Sequence, residues 1–235
     1  MNKIEKKTFK FRWEEDIHRE FVDMVGLFKD KHGREPVFTG VRPPESQYHL
    51  NVLSSVVSKF CGQDIEALEI GSYVGESSKI FAGHFDSLTC VDPYGKRNEW
   101  SKVDDMKEVV THKEDSVDVA VKTSDENELV RFIFENDVVA HHANISFYCC
   151  TSDDYFEHYV DKRFNFIYVD GDHRYSQQIR DYTNGLKHLA KDGILGGHDF
   201  SWPSTQQVIK DMGFDKRPIL HFRDDSFLVI PESLL

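Results

Sequence analysis

Three stretches of the chain carry residue types at spacings that can do chemistry. The first, Leu68 to Ser78, reads LEIGSYVGESS. Glu69 precedes Gly71, Gly75 follows four positions later, and Ser72, Tyr73 and Ser77 lie in and just after the turn. A strand that turns through glycines into a helix lets backbone N–H groups approach a small ligand, and the helix dipole favours its negative end. The pattern E-x-G-x-x-x-G lacks the middle glycine of the dinucleotide pattern, which disfavours a nicotinamide cofactor. The second stretch is Val91-Asp92-Pro93-Tyr94. An acid about twenty residues past a glycine turn suits hydrogen bonding to ribose hydroxyls. The third is split between YVDGDHRY, ending at Tyr175, and GGHDF, ending at Phe200. On neighbouring strands Asp170 and Asp199 would face each other, and two such carboxylates repel unless a cation or a proton lies between them. Oxygen ligands favour Mg²⁺, Ca²⁺ or Mn²⁺, and a nearby imidazole tilts the choice towards Mn²⁺ or Fe²⁺.

The elements that must position these residues alternate between strand and helix. Expected strands cover 67–71, 88–92, 145–149, 165–170 and 194–198. Expected helices cover 75–85, 125–141 and 176–191, the last ended by Asp192-Gly193. Two strands, 217–222 and 227–230, close the chain around the turn RDDS. This order predicts a Rossmann-like, doubly wound α/β sheet, mostly parallel, with an antiparallel C-terminal hairpin. Ligands of such sheets bind outside the carboxyl ends of the strands, where all three stretches fall. Residues 1–66 read as a helical segment that packs on the main domain or caps it. One apolar stripe runs from Trp13 to Phe28. The irregular string HGREPVFTGVRPPES follows it, and a second helix runs from Pro44 to about Phe60. Residues 95–123 are polar and suggest an excursion with a short helix. The main ligand-binding domain would occupy 67–235.

Bulk properties narrow the partners. A net charge of −12 argues against a nucleic-acid backbone and favours a small-molecule partner. No apolar run approaches a membrane span, and the charged N-terminal sequence MNKIEKKTFKFRWEED has no apolar signal region. The four cysteines, Cys61, Cys90, Cys149 and Cys150, form no C-x-x-C. Adjacent Cys149 and Cys150 on a strand would point to opposite faces, so reduced thiols in a cytoplasmic protein are expected. A homo-oligomer is compatible with all of this.

The run G-S-Y-V-G-E-S resembles the first motif of class I S-adenosylmethionine-dependent methyltransferases, and its catechol O-methyltransferase branch in particular. Y-V-D-G-D-H-R-Y together with D-G-I-L-G-G-H-D looks like bacterial sugar and antibiotic O-methyltransferases. The resemblance covers about residues 66–230. It implies a seven-stranded sheet and O-methylation of a small hydroxylated acceptor, sugar or catechol-like, with S-adenosylmethionine as cofactor. It places Glu69, Gly71, Ser72, Tyr73, Gly75, Ser77, Asp92 and Asp170 around that cofactor, with Ser152 and Asp153 along the adenine. In metal-dependent members an Asp ending the fourth strand and an acidic pair ending the fifth bind Mg²⁺. Carried over, Asp170, His198 and Asp199 would hold Mg²⁺ or Mn²⁺. His198 stands where the first Asp of that pair often stands, which leaves metal identity and metal dependence open. Two bases compete to remove the acceptor's proton. Asp172 matches the proposed base of the sugar-modifying relatives. His173 falls where catechol-type enzymes carry a catalytic lysine, and an imidazole titrates near neutrality.

Two further readings belong to other classes. Asp170-Gly171-Asp172 is a D-x-D, as in metal-dependent sugar-nucleotide transferases, although that reading leaves the glycine turn unexplained. A non-catalytic scaffold that keeps the cofactor fold is the other. Binding of S-adenosylhomocysteine separates them.

Overall fold

Seven strands form one sheet in the order β3-β2-β1-β4-β5-β7-β6. The computed structural model describes residues 15–36, 42, 44–94 and 124–234, and the side chains of 15–21 and 124–125 are outside that description. The expected excursion over 95–123 and the start of the first apolar stripe at Trp13 lie outside the described residues. In chain order the elements are α1 (Glu15–His32), α2 (Pro44–Cys61), β1 (Glu66–Ile70), α3 (Glu76–His84), β2 (Ser87–Val91), α4 (Ser124–Ile133) and β3 (Ile145–Tyr148). There follow α5 (Ser152–His158), β4 (Phe164–Val169), α6 (Tyr175–His188), β5 (Leu189–Gly197), α7 (Pro203–Asp211), β6 (Ile219–His221) and β7 (Phe227–Val229). Neighbours from β3 through β5 pair in parallel, and β7 runs antiparallel between β5 and β6. The strand order reverses between β1 and β4, and a crevice opens at such a switch point.

Both faces of the sheet are covered because its central strands are apolar on both sides. Side chains alternate along a strand. Ala67, Phe166 and Tyr168 face one core with Leu50, Leu53 and Val57 of α2 and Phe81 of α3. Leu68, Ile70, Ile167 and Val169 face the other with Tyr182 of α6 and Val208 of α7. Fully burying each of the Leu, Ile, Val and Phe side chains among them is worth about 1.5–3 kcal/mol. Phe81 meets Phe166 and Tyr168 edge-on at ring separations of 5.7 and 5.0 Å, a geometry aromatic pairs prefer. Helix α1 docks on α4: Phe28 is buried, and Arg34 gives Glu126 a two-point ion pair of 2.7 and 3.1 Å. No described helix is long and apolar enough to cross a membrane.

Several departures from the sequence expectation have local causes. The helix expected over 125–141 is α-helical only to Ile133, then widens into a π turn at Phe134–Val138 and a 3₁₀ turn at Val139–His141. The widening occurs where Phe134 and Val138 press on Gly75, and π turns often mark functional sites. Helix α6 ends at His188 rather than Lys191. Arg163 Nη1 donates to the carbonyls of Lys187 and Leu189 at 2.9 and 3.0 Å, which satisfies groups a glycine cap would otherwise serve. Asp192, with φ at 63°, sits inside β5, where the register with β4 slips between Phe164 and Phe166. Helices α5 and α7 were not expected as elements. Thr151 starts the first, its Oγ1 accepting from the Asp154 N–H at 2.9 Å, and Pro203 opens the second. Strand β3 stops at Tyr148, so Cys149 and Cys150 follow it instead of lying on it, and none of the four cysteines is in a disulfide.

Candidate active site

The turn between β1 and α3 is left-handed at three residues: Gly71 (φ 92°), Tyr73 (φ 48°) and Gly75 (φ 83°). Gly71 lies where β1 passes the end of β4. A Cβ there would stand 2.2 Å from the Asp170 carbonyl oxygen. The Gly71 N–H donates to the Val91 carbonyl at 2.8 Å and the Asp170 N–H to the Ile70 carbonyl at 2.8 Å. The ends of β1, β2 and β4 are thus fixed to one another around the switch point. Asp92 reaches over from β2, and its two oxygens accept the Tyr73 and Tyr94 N–H groups, each at 3.0 Å. Tyr94 donates its hydroxyl to the Tyr73 carbonyl. Two buried oxygens beside the turn, Ser72 Oγ and Glu76 Oε1, make no hydrogen bond. Buried polar atoms are rarely left so, and a ligand at this turn would satisfy them.

Other residues expected around a cofactor hold the turn and its flanks from within the protein. Glu69 is fully buried, and its two oxygens accept the Ser77 and Ser78 hydroxyls, tying α3 to β1. The Ser152 hydroxyl donates to Asp181 at 2.6 Å, and Gln177 joins the same pair from α6. Asp153 forms an exposed pair with Arg180 at 3.2 Å. Glu69, Ser77 and Ser152 therefore spend their polar atoms on packing these elements together.

Burial pushes the Glu69 carboxyl up to about 7, with the two serine hydroxyls pulling it back down. Burial likewise raises Asp181 to about 7, against the hydrogen bonds of Ser152 and Gln177. For an acid whose pKa rises on folding, the contribution to stability is complete below its unfolded value and is lost as pH rises through the folded one. Both groups therefore favour the fold at pH below about 4 and withdraw that support by about pH 7. Glu69→Gln keeps the shape and removes the titration. Its thermal midpoint should fall less between about pH 5 and pH 8 than that of the wild type. Equal slopes in the two proteins would contradict the assignment.

On the other side of the switch point, β4 and β5 end in a charged cluster. Asp199, left-handed at φ 56°, places one oxygen 3.2 Å from His173 Nδ1 and the other 3.1 Å from His198 Nδ1. His198 Nδ1 is also 3.7 Å from Asp170, and its Nε2 donates to the Asp224 carbonyl at 2.7 Å. Burial works against protonation of His198, but the carboxylates of Asp199 and Asp170 outweigh it and raise its pKa. Burial also disfavours the Asp199 carboxylate, yet the imidazoles of His198 and His173 and the charge of Arg42 hold its pKa below the usual value.

Asp172 and His173 differ sharply. Asp172 accepts from the Arg174 backbone at 2.9 Å and from the guanidinium at 2.9 and 2.7 Å. Both of its oxygens are occupied by donors of Arg174. His173 has Asp199 at Nδ1, the ring of Trp202 5.0 Å away, and a side chain 37% exposed. A base oriented by a carboxylate and open to solvent is the arrangement proton transfer needs.

Ligand atoms of Asp170, His173 and Asp199 lie within 4.8 Å of one another, close enough for one ion. The sequence reading had His198 in place of His173 in that set. It also missed Arg42 altogether. The Arg42 guanidinium donates through Nη2 to Asp170, and Nη1 lies 3.6 Å from Asp224 Oδ2. Its backbone N–H donates to Glu76 Oε2 at 2.6 Å. Arg42 is separated from Asp170 by 128 positions, and no local pattern in a proline-rich connection signals such a contact.

Comparison with known proteins bears on the family and the fold. Residues 68–200, more than half of the chain, match the family model described as a methyltransferase domain. No curated protein sequence matches. Among solved structures, cofactor-bound Rv0187 from MTB aligns at 11% identity over 92% of this chain and 90% of its own, with a TM-score of 0.53. A Klebsiella pneumoniae protein described as an O-methyltransferase aligns at 13% identity over 92% and 89%, with a TM-score of 0.52. Precorrin 8W decarboxylase from Methanobacterium thermoautotrophicum aligns at 12% identity over 83% and 93%, with a TM-score of 0.51. Identities this low speak for the fold, which carries more than one chemistry.

Proposed function

The chain belongs to the methyltransferase-domain family, matched across the strands that build the site, and from that premise we propose that it methylates a hydroxyl of a small acceptor. As a methyltransferase of the S-adenosylmethionine-dependent class it takes an electrophilic methyl group from that cofactor. The residues present fit it. The turn Gly71–Gly75 offers backbone N–H groups beside two unpartnered buried oxygens, and Asp92 stands across from it at the end of β2. The turn with Ser72 and Asp92 would hold it, and the Asp170 end of β4 faces the acceptor side.

One observation carries the choice of chemistry. His173 Nδ1 faces the Asp199 carboxylate at 3.2 Å. With Nδ1–H donated to Asp199, the lone pair lies on Nε2. That nitrogen takes the acceptor's hydroxyl proton as its oxygen takes the methyl group. Asp199 stays ionised and steadies the imidazolium that results. Trp202, about half exposed beside His173, offers a flat wall to a sugar or aromatic ring. The sheet ends themselves align the reactants, and alignment supplies most of what a methyl transfer asks of its enzyme. A resident divalent ion does not fit well. One Asp170 oxygen is bonded to a guanidinium.

Calorimetric titration with S-adenosylmethionine and S-adenosylhomocysteine tests the cofactor half of this reading. Micromolar binding is expected, and Asp92→Ala should weaken it by about 1–3 kcal/mol, roughly 5- to 150-fold. Absence of binding by the wild-type chain would overturn the reading. A screen of sugar and catechol hydroxyls, read by mass gain of one methyl, then tests the acceptor half.

A further inference from the structure

We propose that Arg42 is the resident cation of this site: its guanidinium occupies Asp170, one of the three residues a divalent metal would need, and the transfer runs without a metal. The proposal rests on reading the β4–β5 cluster as the acceptor side.

Three carboxylates converge there: Asp170, Asp199 and Asp224, the last fully buried. Left alone they would repel one another or take up protons. Arg42 answers two of them. Nη2 donates to Asp170, and Nη1 lies 3.6 Å from Asp224 Oδ2, with only 10% of the arginine side chain exposed. Guanidinium does not lose its proton in proteins. The position is therefore permanently cationic. A divalent ion reaching Asp170 would have to expel that guanidinium or sit against its charge.

Arg42 also has capacity left over. Nη1 is buried and meets Asp224 only at ion-pair distance, with no hydrogen bond, and a buried donor without a hydrogen bond is costly. An acceptor oxygen entering beside Asp170 would satisfy it. The guanidinium would then stabilise negative charge on that oxygen as the proton leaves for His173, the service a metal performs elsewhere. The backbone adds a second link. The Arg42 N–H bonds Glu76 in the first turn of α3, so one residue ties the glycine-turn helix to the acceptor side.

The test is titration of the full-length chain with Mn²⁺, following the free ion by electron paramagnetic resonance. The wild type is expected to leave Mn²⁺ free. Arg42→Gln should create one bound ion per chain, and adding Asp170→Asn to it should remove that ion. Arg42→Lys, which keeps the charge, should exclude Mn²⁺ as the wild type does. Mn²⁺ binding by the wild type that is lost in Asp170→Asn would overturn the proposal, whether or not the Arg42 variants fold. Failure of a folded Arg42→Gln to gain an ion would also overturn it. S-adenosylhomocysteine titration of the same samples reports folding. It also separates the two readings, since loss of cofactor binding refutes the function and Mn²⁺ binding refutes only the role of Arg42.

Discussion

Gly71→Ala is expected to abolish cofactor binding and to cost a large share of the protein's stability. The residue sits at φ 92°, and an added Cβ would lie 2.2 Å from the Asp170 carbonyl oxygen, 2.5 Å from its carbon and 2.6 Å from Gly171 Cα. All three are backbone atoms of the neighbouring strand end. They cannot turn aside as a flexible side chain can. Backbone strain of about 1–3 kcal/mol and overpacking of about 1–3 kcal/mol together give a loss of about 2–6 kcal/mol. Set against a typical total of about 5–15 kcal/mol, that is a serious fraction. The urea midpoint measures it, and S-adenosylhomocysteine calorimetry on any folded remainder measures the effect on the turn. Gly75→Ala provides the contrast. Its Cβ would meet Val138 Cγ2 at 2.5 Å and Phe134 Cδ2 at 2.7 Å, both side-chain atoms that have some room to shift. A smaller loss is expected there. If Gly71→Ala unfolded at the wild-type midpoint and bound cofactor normally, the tight crossing of β1 and β4 would be wrong.

His173→Ala is expected to lower turnover about 10²- to 10⁴-fold, the range of a lost general base. Affinity for S-adenosylhomocysteine should be unchanged, because His173 lies on the acceptor side and bonds Asp199 rather than the glycine turn. Turnover is measured on any acceptor the wild type methylates. Asp172→Asn is the informative partner. Its carboxylate is already held by Arg174 through the backbone and the guanidinium, so it has no oxygen poised to take a proton. A modest effect is expected from loosening that loop. The opposite pattern, with Asp172→Asn inactive and His173→Ala active, would transfer the role to Asp172.

Much of the fold was legible because it rests on periodicity and punctuation. Apolar runs of strand length separated by helical stripes gave the parallel order, and the turn RDDS between two short apolar runs gave the terminal hairpin. Glycines at 71 and 75, followed by an acid at the end of the next strand, marked the switch point before any pairing was known. Boundaries were less secure. The end of α6 depended on Arg163, a residue just before β4 that caps the helix from outside. The widened turn after α4 depended on packing against Gly75, which nothing within that helix announces.

The sequence by itself determined the class of the protein and which strand ends carry its polar groups, since motif spacing and apolar period are local properties of the chain. Only the tertiary structure decided how those groups are used. It turned Glu69 and Ser152 inward, gave Asp172 to Arg174, gave Asp199 to His173 and His198, and brought Arg42 against Asp170 and Asp224. Those outcomes depend on which of several nearby donors reaches a carboxylate first, and on contacts between residues far apart in the chain. Charge pairing in a buried crevice is settled by distances that no spacing along the chain encodes.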